Sequence, residues 1–316
     1  MRTFLFPGQG SQAVGMGKGL ADAFGPARDV FAEVDEALSQ NLSRLMWEGP
    51  ADELTLTENA QAAIMAVSMA VVRVLESNGF DLAKHAKFVA GHSLGEYSAL
   101  AAAGTFTLAD TARLLKIRGQ AMQAAVPVGL GGMSALIGVD LDFAEAVAAE
   151  ALATATEADP VCVVANDNAP GQVVISGRAE TVARAGEIAK AKGAKRVVPL
   201  AVSAPFHSPL MKPAADRMAE ALAAVQISAP KVGLIANVTA TETFDPDTIR
   251  RQLVEQVCGR VRWRESIAGL AAAGIDATVE CGGNKVLTGM VKRIDKTLAT
   301  TTLDTPDDIE TFARTL

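Results

Sequence analysis

The segment Gly91-His92-Ser93-Leu94-Gly95 holds a serine between two glycines, where an apolar stretch runs into a helical one. Glycines two positions before and after a serine allow the sharp strand-to-helix turn of a nucleophile elbow, which exposes the hydroxyl. The helix start places the N–H of Leu94 beside Ser93, where it can stabilise the oxyanion formed by attack on a carbonyl. The segment therefore predicts acyl chemistry at Ser93. The alternative is an ordinary turn in which Ser93 only caps the helix.

A serine nucleophile needs a base within hydrogen-bond reach, and histidine is the usual one at neutral pH. The chain has three histidines. The side chain of His92 should point away from its neighbour Ser93, and His85 lies in a polar, surface-like stretch. His207 follows a predicted strand in an apolar loop, where a doubly wound sheet places active-site groups. Elimination therefore makes His207 the candidate base.

Hydrolases of the α/β class place an acid between serine and histidine in the chain to orient the histidine ring. The candidates are Asp110, Asp140, Asp142, Asp159 and Asp167. Asp110 is at a helix start, and the other four fall in or beside a segment that we expect to fold as a separate unit. We therefore expect a backbone carbonyl to orient His207 in place of an acid.

Composition narrows the class of protein. The chain has 316 residues, of which 49% are hydrophobic, and a formal net charge of −7. An acidic chain is not expected to bind nucleic acid or an anionic membrane surface. Cys162, Cys258 and Cys281 are too few and too scattered for a disulfide framework or a zinc site, so we expect a cytoplasmic protein without a metal. The apolar run Ala62–Val72 is interrupted by Ser68 and predicts a core helix.

Strands alternate with helices, which predicts an α/β fold with a mostly parallel, α/β-hydrolase-like sheet. Residues 127–198 interrupt this order with a β-α-β-β-α-β pattern, typical of a ferredoxin-like unit. The predicted elements of that unit are strands 133–139, 161–165, 172–176 and 196–202 and helices 143–155 and 180–192. Because its first and last strands lie side by side, it can be inserted into another domain. We predict a large catalytic domain of residues 1–126 and 199–316 with this subdomain inserted.

Three motifs occur in the order Phe6-Pro7-Gly8-Gln9-Gly10-Ser11-Gln12, Gly91-His92-Ser93-Leu94-Gly95-Glu96 and Phe206-His207. In this order they resemble the malonyl-CoA:acyl-carrier-protein transacylases, and the resemblance covers essentially the whole chain. Further matching stretches are 117–122, 166–172, 210–214 and 285–289. One departure is Gly282-Gly283-Asn284, where the family more often has Gly-Pro-Gly.

The resemblance implies that Ser93 is the nucleophile, that His207 is the base, and that the main-chain amides of Gln9 and Leu94 form the oxyanion hole. It also implies that the main-chain carbonyl of Gln256 orients His207. Arg118 resembles the arginine that binds the malonyl carboxylate, a task suited to its planar fork of donors. The residues alone do not distinguish Arg118 from Arg113.

The same resemblance implies transfer of malonyl from malonyl-CoA to the phosphopantetheine thiol of acyl carrier protein, in fatty acid or polyketide synthesis. The expected substrate cleft contains His92, Asn166, Asn168 and Phe206, with Phe206 in the form associated with malonyl selection. No metal or redox cofactor is implied. The expected partners are acyl carrier protein and coenzyme A substrates, without nucleic acid or membrane, and the chain is expected to be a monomer. Two basic groups are candidates for carrier docking: Lys190, Lys192, Lys195 and Arg196, and Lys285, Lys292 and Arg293.

Three other functions fit part of the sequence. The stretch from Gly8 to Ala13 fits a dinucleotide-binding fingerprint after a strand, but residues 27–38 read as a helix where a second strand ending in an acid is required. A thioesterase would use the same serine and histidine and differ only in whether water takes the acyl group. A non-catalytic carrier-binding module would have no use for Ser93, His207 and Arg118.

Overall fold

The computed structural model describes residues 1–202 and 204–315, and ten strands lie in those ranges. Their bounds are β1 (Arg2–Phe6), β2 (Ala86–Gly91), β3 (Gly131–Ile137), β4 (Cys162–Ala169), β5 (Gln172–Arg178), β6 (Arg196–Pro199), β7 (Gly233–Ile235), β8 (Glu242–Thr243), β9 (Ala277–Cys281) and β10 (Ala299–Leu303).

Fifteen α-helices and one 3₁₀ turn, Pro209–Met211, lie in the same ranges. The helices are α1 (Lys18–Ala23), α2 (Gly25–Leu38), α3 (Leu42–Glu48), α4 (Ala51–Thr55), α5 (Thr57–Ser77), α6 (Leu82–His85), α7 (Gly95–Ala102), α8 (Leu108–Ala124), α9 (Leu141–Ala153), α10 (Ala179–Ala191), α11 (Lys212–Ala223), α12 (Pro246–Cys258), α13 (Trp263–Ala272), α14 (Val286–Ile294) and α15 (Pro306–Ala313).

The larger sheet has the strand order β10-β9-β1-β2-β7-β8. All its pairs are parallel except the edge pair of β7 and β8, which is antiparallel. Its central strand β1 is apolar on both faces, since Phe4, Leu5 and Phe6 are all fully buried. A continuous apolar run is what a strand covered on both faces requires. The predicted mostly parallel sheet is confirmed.

The smaller sheet has the order β4-β5-β3-β6, with every pair antiparallel. With α9 and α10 it forms the predicted β-α-β-β-α-β unit, and its first and last strands, β3 and β6, are neighbours. It has a hydrophobic core of its own, to which Leu136, Val147 and Ile175 belong. The predicted ferredoxin-like fold is confirmed, while the division at residues 127 and 198 stays a prediction.

Two strands of the smaller sheet differ from their predicted bounds. The predicted strand 161–165 continues as β4 to Ala169, because irregular register after Val164 and after Asp167 allows the pairing with β5 to continue. The N–H of Asp167 also bonds to the carbonyl of Val261, which joins β4 to the rest of the chain. The predicted strand 196–202 ends at Pro199. The N–H of Leu200 still bonds to the Met133 carbonyl, but the chain then leaves the sheet and residues 200–202 form part of a cavity wall.

Helix α5 lies at the centre of the larger core. Among the described residues it is the one helix long and apolar enough to cross a membrane, and 83% of that segment is buried inside the protein. It packs against α2 and α8. Helix α2 occupies the stretch where a dinucleotide-binding fold requires its second strand, which counts against that alternative.

Candidate active site

A cavity of about 350 Å³ opens where the carboxyl ends of β1 and β2 face the smaller sheet. Gln9 follows β1 and Ser93 follows β2, while Met133 on β3 and Asn166 on β4 form part of the opposite side. Ligands of open α/β sheets bind outside the carboxyl ends of the strands. The larger and smaller sheets therefore both contribute to one candidate site.

Ser93 lies on a strained turn between β2 and α7. Its φ is 52°, in the left-handed region that costs a residue other than glycine about 1–3 kcal/mol. A Cβ at Gly91 would lie 1.9 Å from the carbonyl oxygen of Gly95, and one at Gly95 would lie 2.1 Å from that of Phe6. Neither position has room for a side chain, so the two glycines are required for the elbow.

The Ser93 hydroxyl is hydrogen-bonded to His207. The distance from Ser93 Oγ to His207 Nε2 is 2.8 Å. On the other side of the ring, His207 Nδ1 donates to the carbonyls of Gln256, at 2.9 Å, and Gly259, at 3.1 Å. Because carbonyls only accept, the proton must be on Nδ1, and Nε2 is left to accept from Ser93.

Burial lowers the pKa of His207 to about 3, and the nearby charge of Arg118 acts in the same direction. The two carbonyl contacts oppose this shift by stabilising the protonated ring. The imidazole is therefore neutral at physiological pH, which is the form that can take a proton from a hydroxyl.

The predicted absence of an acid partner agrees with where the candidate acids lie. Asp110 and Asp140 accept from main-chain or side-chain groups at the starts of α8 and α9. Asp167 is buried and pairs with Arg264. In residues 1–202 and 204–315, no carboxylate is hydrogen-bonded to His207, whose Nδ1 is occupied by main-chain carbonyls.

Arg118 is buried, with 1% of its surface exposed. Its Nη1 donates to Gln61 Oε1 at 2.8 Å, and its Nη2 donates to Gln256 Oε1 at 2.8 Å and to Ser93 Oγ at 3.1 Å. These acceptors are neutral, Nε has no hydrogen-bond partner, and no carboxylate of the described chain lies within ion-pair distance of the guanidinium, although the charge of Glu96 acts on it at longer range. A buried cation without a carboxylate in direct contact favours an anionic ligand.

Arg113, the alternative to Arg118, lies on the outer face of the same helix. It is about half exposed and pairs with Asp110 at 3.4 Å. It is not among the residues that line the cavity. The geometry therefore distinguishes two arginines that the sequence could not.

Gln9 and Leu94 both line the cavity. Neither main-chain amide donates a hydrogen bond to another residue in the part of the chain that the structure describes. The Gln9 side chain is held instead by the Thr57 hydroxyl, at 2.9 Å. Two unpaired N–H groups beside a serine hydroxyl are the donors that an oxyanion requires.

The four predicted cleft residues lie in or next to the cavity. His92, Asn166 and Phe206 line it, whereas Asn168 is outside the lining and reaches it through His92. His92 Nε2 lies 2.8 Å from Asn168 Oδ1, and the ring packs edge-on against Trp263 with centroids 5.5 Å apart. Burial lowers the pKa of His92. As predicted, His92 is directed away from the Ser93 hydroxyl.

Sequence reasoning missed three buried polar residues around the elbow: Gln61, Glu96 and Asn237. Gln61 on α5 binds Arg118, and Glu96 and Asn237 bond to the main chain or side chains around Ser93. For Asn237 the sequence held a usable signal: it is a polar residue two positions after the end of β7, at the carboxyl edge of the parallel sheet. Gln61 offered a weaker one, as a polar residue in the apolar run of α5.

The departure from Gly-Pro-Gly has a structural counterpart. Gly283 has a φ of 87°, which proline cannot adopt, and a Cβ at this glycine would lie 2.6 Å from Pro7. Asn284 follows with a φ of 54° and donates to the carbonyl of Ser11. The loop therefore packs closely on the segment that contains Gln9.

Metal-ligating side chains do not cluster. Within residues 1–202 and 204–315, no group of three His, Cys, Asp or Glu side chains is placed to hold a metal ion. All three cysteines are free, and burial raises the pKa of Cys162 to about 12.

A serine hydroxyl on a strained elbow, bonded to a neutral buried histidine at the end of a parallel sheet, is typical of serine-dependent acyl-transfer and hydrolytic enzymes. Within that class, a family model for the acyl transferase domain matches residues 3–303. The chain belongs to this acyl transferase family.

Relatives in the family are similar over nearly their whole length. The chain is 45% identical over 313 residues to the malonyl CoA-acyl carrier protein transacylase of Bacillus subtilis. This match covers 99% of this chain and 96% of that protein. A crystal structure of an acyl-carrier-protein S-malonyltransferase from Bartonella henselae is 56% identical, with a TM-score of 0.96 and coverage of 99% and 98% of the two chains. A malonyl-transacylase solved in complex with a type II polyketide acyl carrier protein is 39% identical, with a TM-score of 0.95 and coverage of 100% and 99%.

Proposed function

We propose that this chain transfers the malonyl group of malonyl-CoA to the phosphopantetheine thiol of acyl carrier protein, in fatty acid or polyketide synthesis. One observation carries the proposal. The Ser93 hydroxyl lies 2.8 Å from a neutral histidine and 3.1 Å from a buried arginine, with which no carboxylate of the described residues is in ion-pair contact. The relatives' names, which specify malonyl and acyl carrier protein, support the same assignment.

In the first half-reaction, the Ser93 oxygen attacks the thioester carbonyl of malonyl-CoA while His207 Nε2 takes the hydroxyl proton. The amides of Gln9 and Leu94 stabilise the oxyanion. The carbon–sulfur bond then breaks, coenzyme A leaves with the proton from His207, and a malonyl ester remains on Ser93. The Gln256 carbonyl, 2.9 Å from Nδ1, holds the ring in the required tautomer throughout.

In the second half-reaction, the phosphopantetheine thiol of the carrier gives its proton to His207 and attacks the ester carbonyl. The same amides stabilise the second oxyanion, and the serine–acyl bond breaks as His207 returns the proton to Ser93. These steps use only side chains and main-chain groups of this chain, so they need no metal or redox cofactor.

Arg118 selects the acyl group in this proposal. A carboxylate on the acyl chain would give the buried guanidinium a counter-ion in direct contact, and such charge-assisted bonds are stronger than neutral ones. His92, Asn166 and Phe206 would form the sides of the cleft around the acyl group, with Asn168 fixing the His92 ring.

The organisation that accompanies this function is also a proposal: a catalytic domain of residues 1–126 and 199–316, with 127–198 inserted as a subdomain. Cavity-lining residues from both parts, such as Ser93 and Met133, support it. The cytoplasmic location and the monomeric state stay predictions.

Intact-mass analysis after mixing with malonyl-CoA, with and without carrier protein, tests the proposal. We expect one malonyl adduct on the enzyme, which disappears when carrier protein is added while the carrier gains the same mass. Rapid release of free malonate that carrier protein does not suppress would make the chain a thioesterase instead.

A further inference from the structure

Two side-chain amides hold the main chain of Ser93 from opposite sides. The N–H of Ser93 donates to Asn237 Oδ1 at 2.8 Å. The carbonyl of Ser93 accepts from Gln256 Nε2, also at 2.8 Å. Both main-chain polar groups of the serine are therefore bonded to residues far from it in sequence, and its carbonyl also accepts from the nearby N–H of Glu96 at 3.0 Å.

Asn237 also binds the strand end of the elbow. Its Nδ2 donates to the carbonyl of Gly91 at 2.6 Å, so one side chain spans the turn from Gly91 to Ser93. Asn237 is itself held in place, because its carbonyl accepts from the N–H of Arg262 at 3.0 Å and it follows β7, which pairs with β2.

Glu96 connects the two amides. Its Oε1 accepts from the main-chain N–H of Asn237 at 3.2 Å, and its Oε2 accepts from Gln256 Nε2 at 2.5 Å. Glu96 is 1% exposed and lies in the first turn of α7, directly after the elbow. The hydrogen bonds therefore form a closed network around the turn.

This network opposes a specific strain. Ser93 has a left-handed φ of 52°, which a residue with a side chain leaves readily unless its surroundings hold it. Rotation of this backbone would move Oγ away from His207 Nε2, and a misplacement of about 1 Å of a reacting group can cost about a hundredfold in rate.

We propose that Asn237, fixed by the Glu96 carboxylate, is a positioning residue for the Ser93 hydroxyl. The inference rests on the proposed function only in taking Ser93 as the nucleophile. Asn237 is 1% exposed, and neither it nor Glu96 lines the cavity. Asn237 therefore acts on the rate at which Ser93 is acylated and leaves substrate binding unchanged, whereas Glu96 also acts through its charge on Arg118.

The test compares Asn237→Ala with Ser68→Ala, a matched control that also loses a buried hydrogen bond, to the Cys281 carbonyl, outside the network around Ser93. Ser93 is labelled with a fluorophosphonate probe, whose phosphorus bonds to Oγ as fluoride leaves, and separately with malonyl-CoA by rapid quench. We expect Asn237→Ala to lower both rates by about a hundredfold at unchanged KM for malonyl-CoA. Ser68→Ala should label at the wild-type rate.

Three further variants keep the test decisive if Asn237→Ala does not fold. Asn237→Asp has the same shape and can still accept from Ser93, but it replaces the donor to Gly91 with an oxygen, so we expect at least a tenfold loss of labelling. Glu96→Gln keeps an acceptor for the Asn237 N–H, whereas Glu96→Ala removes it. We therefore expect Glu96→Gln to label Ser93 faster than Glu96→Ala and at most of the wild-type rate. Wild-type labelling rates in folded Asn237→Ala or Asn237→Asp would overturn the proposal.

The two proposals fail in different ways. Wild-type protein that reacts with the fluorophosphonate but not with malonyl-CoA would overturn the proposed function, and the probe rates would still decide the role of Asn237. Wild-type protein that reacts with neither reagent would mean that Ser93 is not a nucleophile, and both proposals would be wrong.

Discussion

The guanidinium of Arg118 donates a hydrogen bond of 3.1 Å to the hydroxyl of Ser93. The group proposed to bind a carboxylate is therefore a direct neighbour of the group proposed to bond to the carbonyl carbon. In a malonyl ester a single methylene separates the carboxylate carbon from the carbonyl carbon. A short acyl chain can therefore contact Arg118 and Ser93 at once. The contact also means that a bound carboxylate competes with Ser93 for the same nitrogen.

Replacing Arg118 with alanine should change selectivity more than general reactivity. We expect the rate with malonyl-CoA to fall about ten- to a hundredfold relative to acetyl-CoA, since a hydrogen bond to a charged group is worth about 1.5–3 kcal/mol. Single-turnover acylation with both thioesters measures this ratio, and Arg113→Ala, on the exposed face of the same helix, is the control. Equal losses with the two substrates would make Arg118 a structural residue.

Replacing Ser93 with alanine should abolish the covalent step. No other hydroxyl is presented on the elbow, and Ser98 is fully buried within α7. Peptide mapping of the wild-type adduct should find malonate on the peptide that contains Ser93. An adduct on Ser11, which lies near the cavity and donates to the Gly8 carbonyl, would defeat the assignment.

Replacing His207 with alanine should slow acylation by about 10²–10⁴-fold, the usual contribution of a general base. The circular dichroism spectrum should stay that of the wild type. Asp110→Asn is the control, because Asp110 bonds to Thr107 at a helix start and not to the histidine. A comparable loss in a well-folded Asp110→Asn protein would restore a three-residue triad.

The pH profile should lack the inflection of an ordinary histidine. Because burial lowers the pKa of His207 to about 3, the ring stays neutral from pH 8 to pH 5. A histidine with the usual pKa of about 6.5 would instead lose its neutral form about tenfold per pH unit below that value. The rate of single-turnover malonylation should therefore show no decrease between pH 8 and pH 5 that is due to protonation of His207.

Glu96 needs a control in the same experiment. Burial raises its pKa to about 7, so Glu96 changes its protonation state within the measured pH range. An inflection near pH 7 that disappears in Glu96→Gln belongs to Glu96. An inflection near pH 6.5 that persists in Glu96→Gln would mean that His207 titrates as an exposed histidine, contrary to its buried position.

The parts of the site that the sequence predicted are those that depend on local geometry. The elbow follows from two glycines around Ser93, and the smaller sheet follows from the order of its strands and helices. The network around Ser93 depends on contacts between distant residues: Asn237 is 144 positions from the serine that it binds. Glu96 belongs to the motif around Ser93, and Asn237 lies at the carboxyl edge of the sheet, but neither signal indicates which distant residue each one binds, so the network was missed.

The ends of strands were also difficult to predict from the sequence, because they too depend on contacts with distant residues. The run 196–202 has a strand-like composition, but its pairing with β3 ends after the bond from the Leu200 N–H to the Met133 carbonyl, and residues 200–202 line the cavity. Strand β10, which is rich in threonine, was not predicted, although it pairs with β9 along its whole length. In both cases the neighbouring elements, and not the intrinsic preference of the segment, decide whether it joins a sheet.

Carrier docking should depend on basic groups that are free to meet an acidic partner. Of the candidates, Lys190 and Lys192 form ion pairs with Glu187 and Glu150. Among the described residues Lys285 and Lys292 are in no ion pair, and Lys285 interacts with Asp304 and Asp308 only at longer range. Lys285 is also next to the loop that packs on Pro7, close to the segment of Gln9. We therefore expect Lys285 and Lys292 to contribute more to docking.

Salt and charge reversal test this expectation together. Exposed charges are screened over about 8–10 Å at physiological ionic strength, so transfer to carrier protein should slow as salt rises while self-acylation from malonyl-CoA stays nearly constant. Lys285→Glu with Lys292→Glu should reproduce the effect of high salt on transfer alone, and Lys190→Glu with Lys192→Glu is the matched control. Salt-independent transfer, or an equal loss in the control pair, would exclude docking through Lys285 and Lys292.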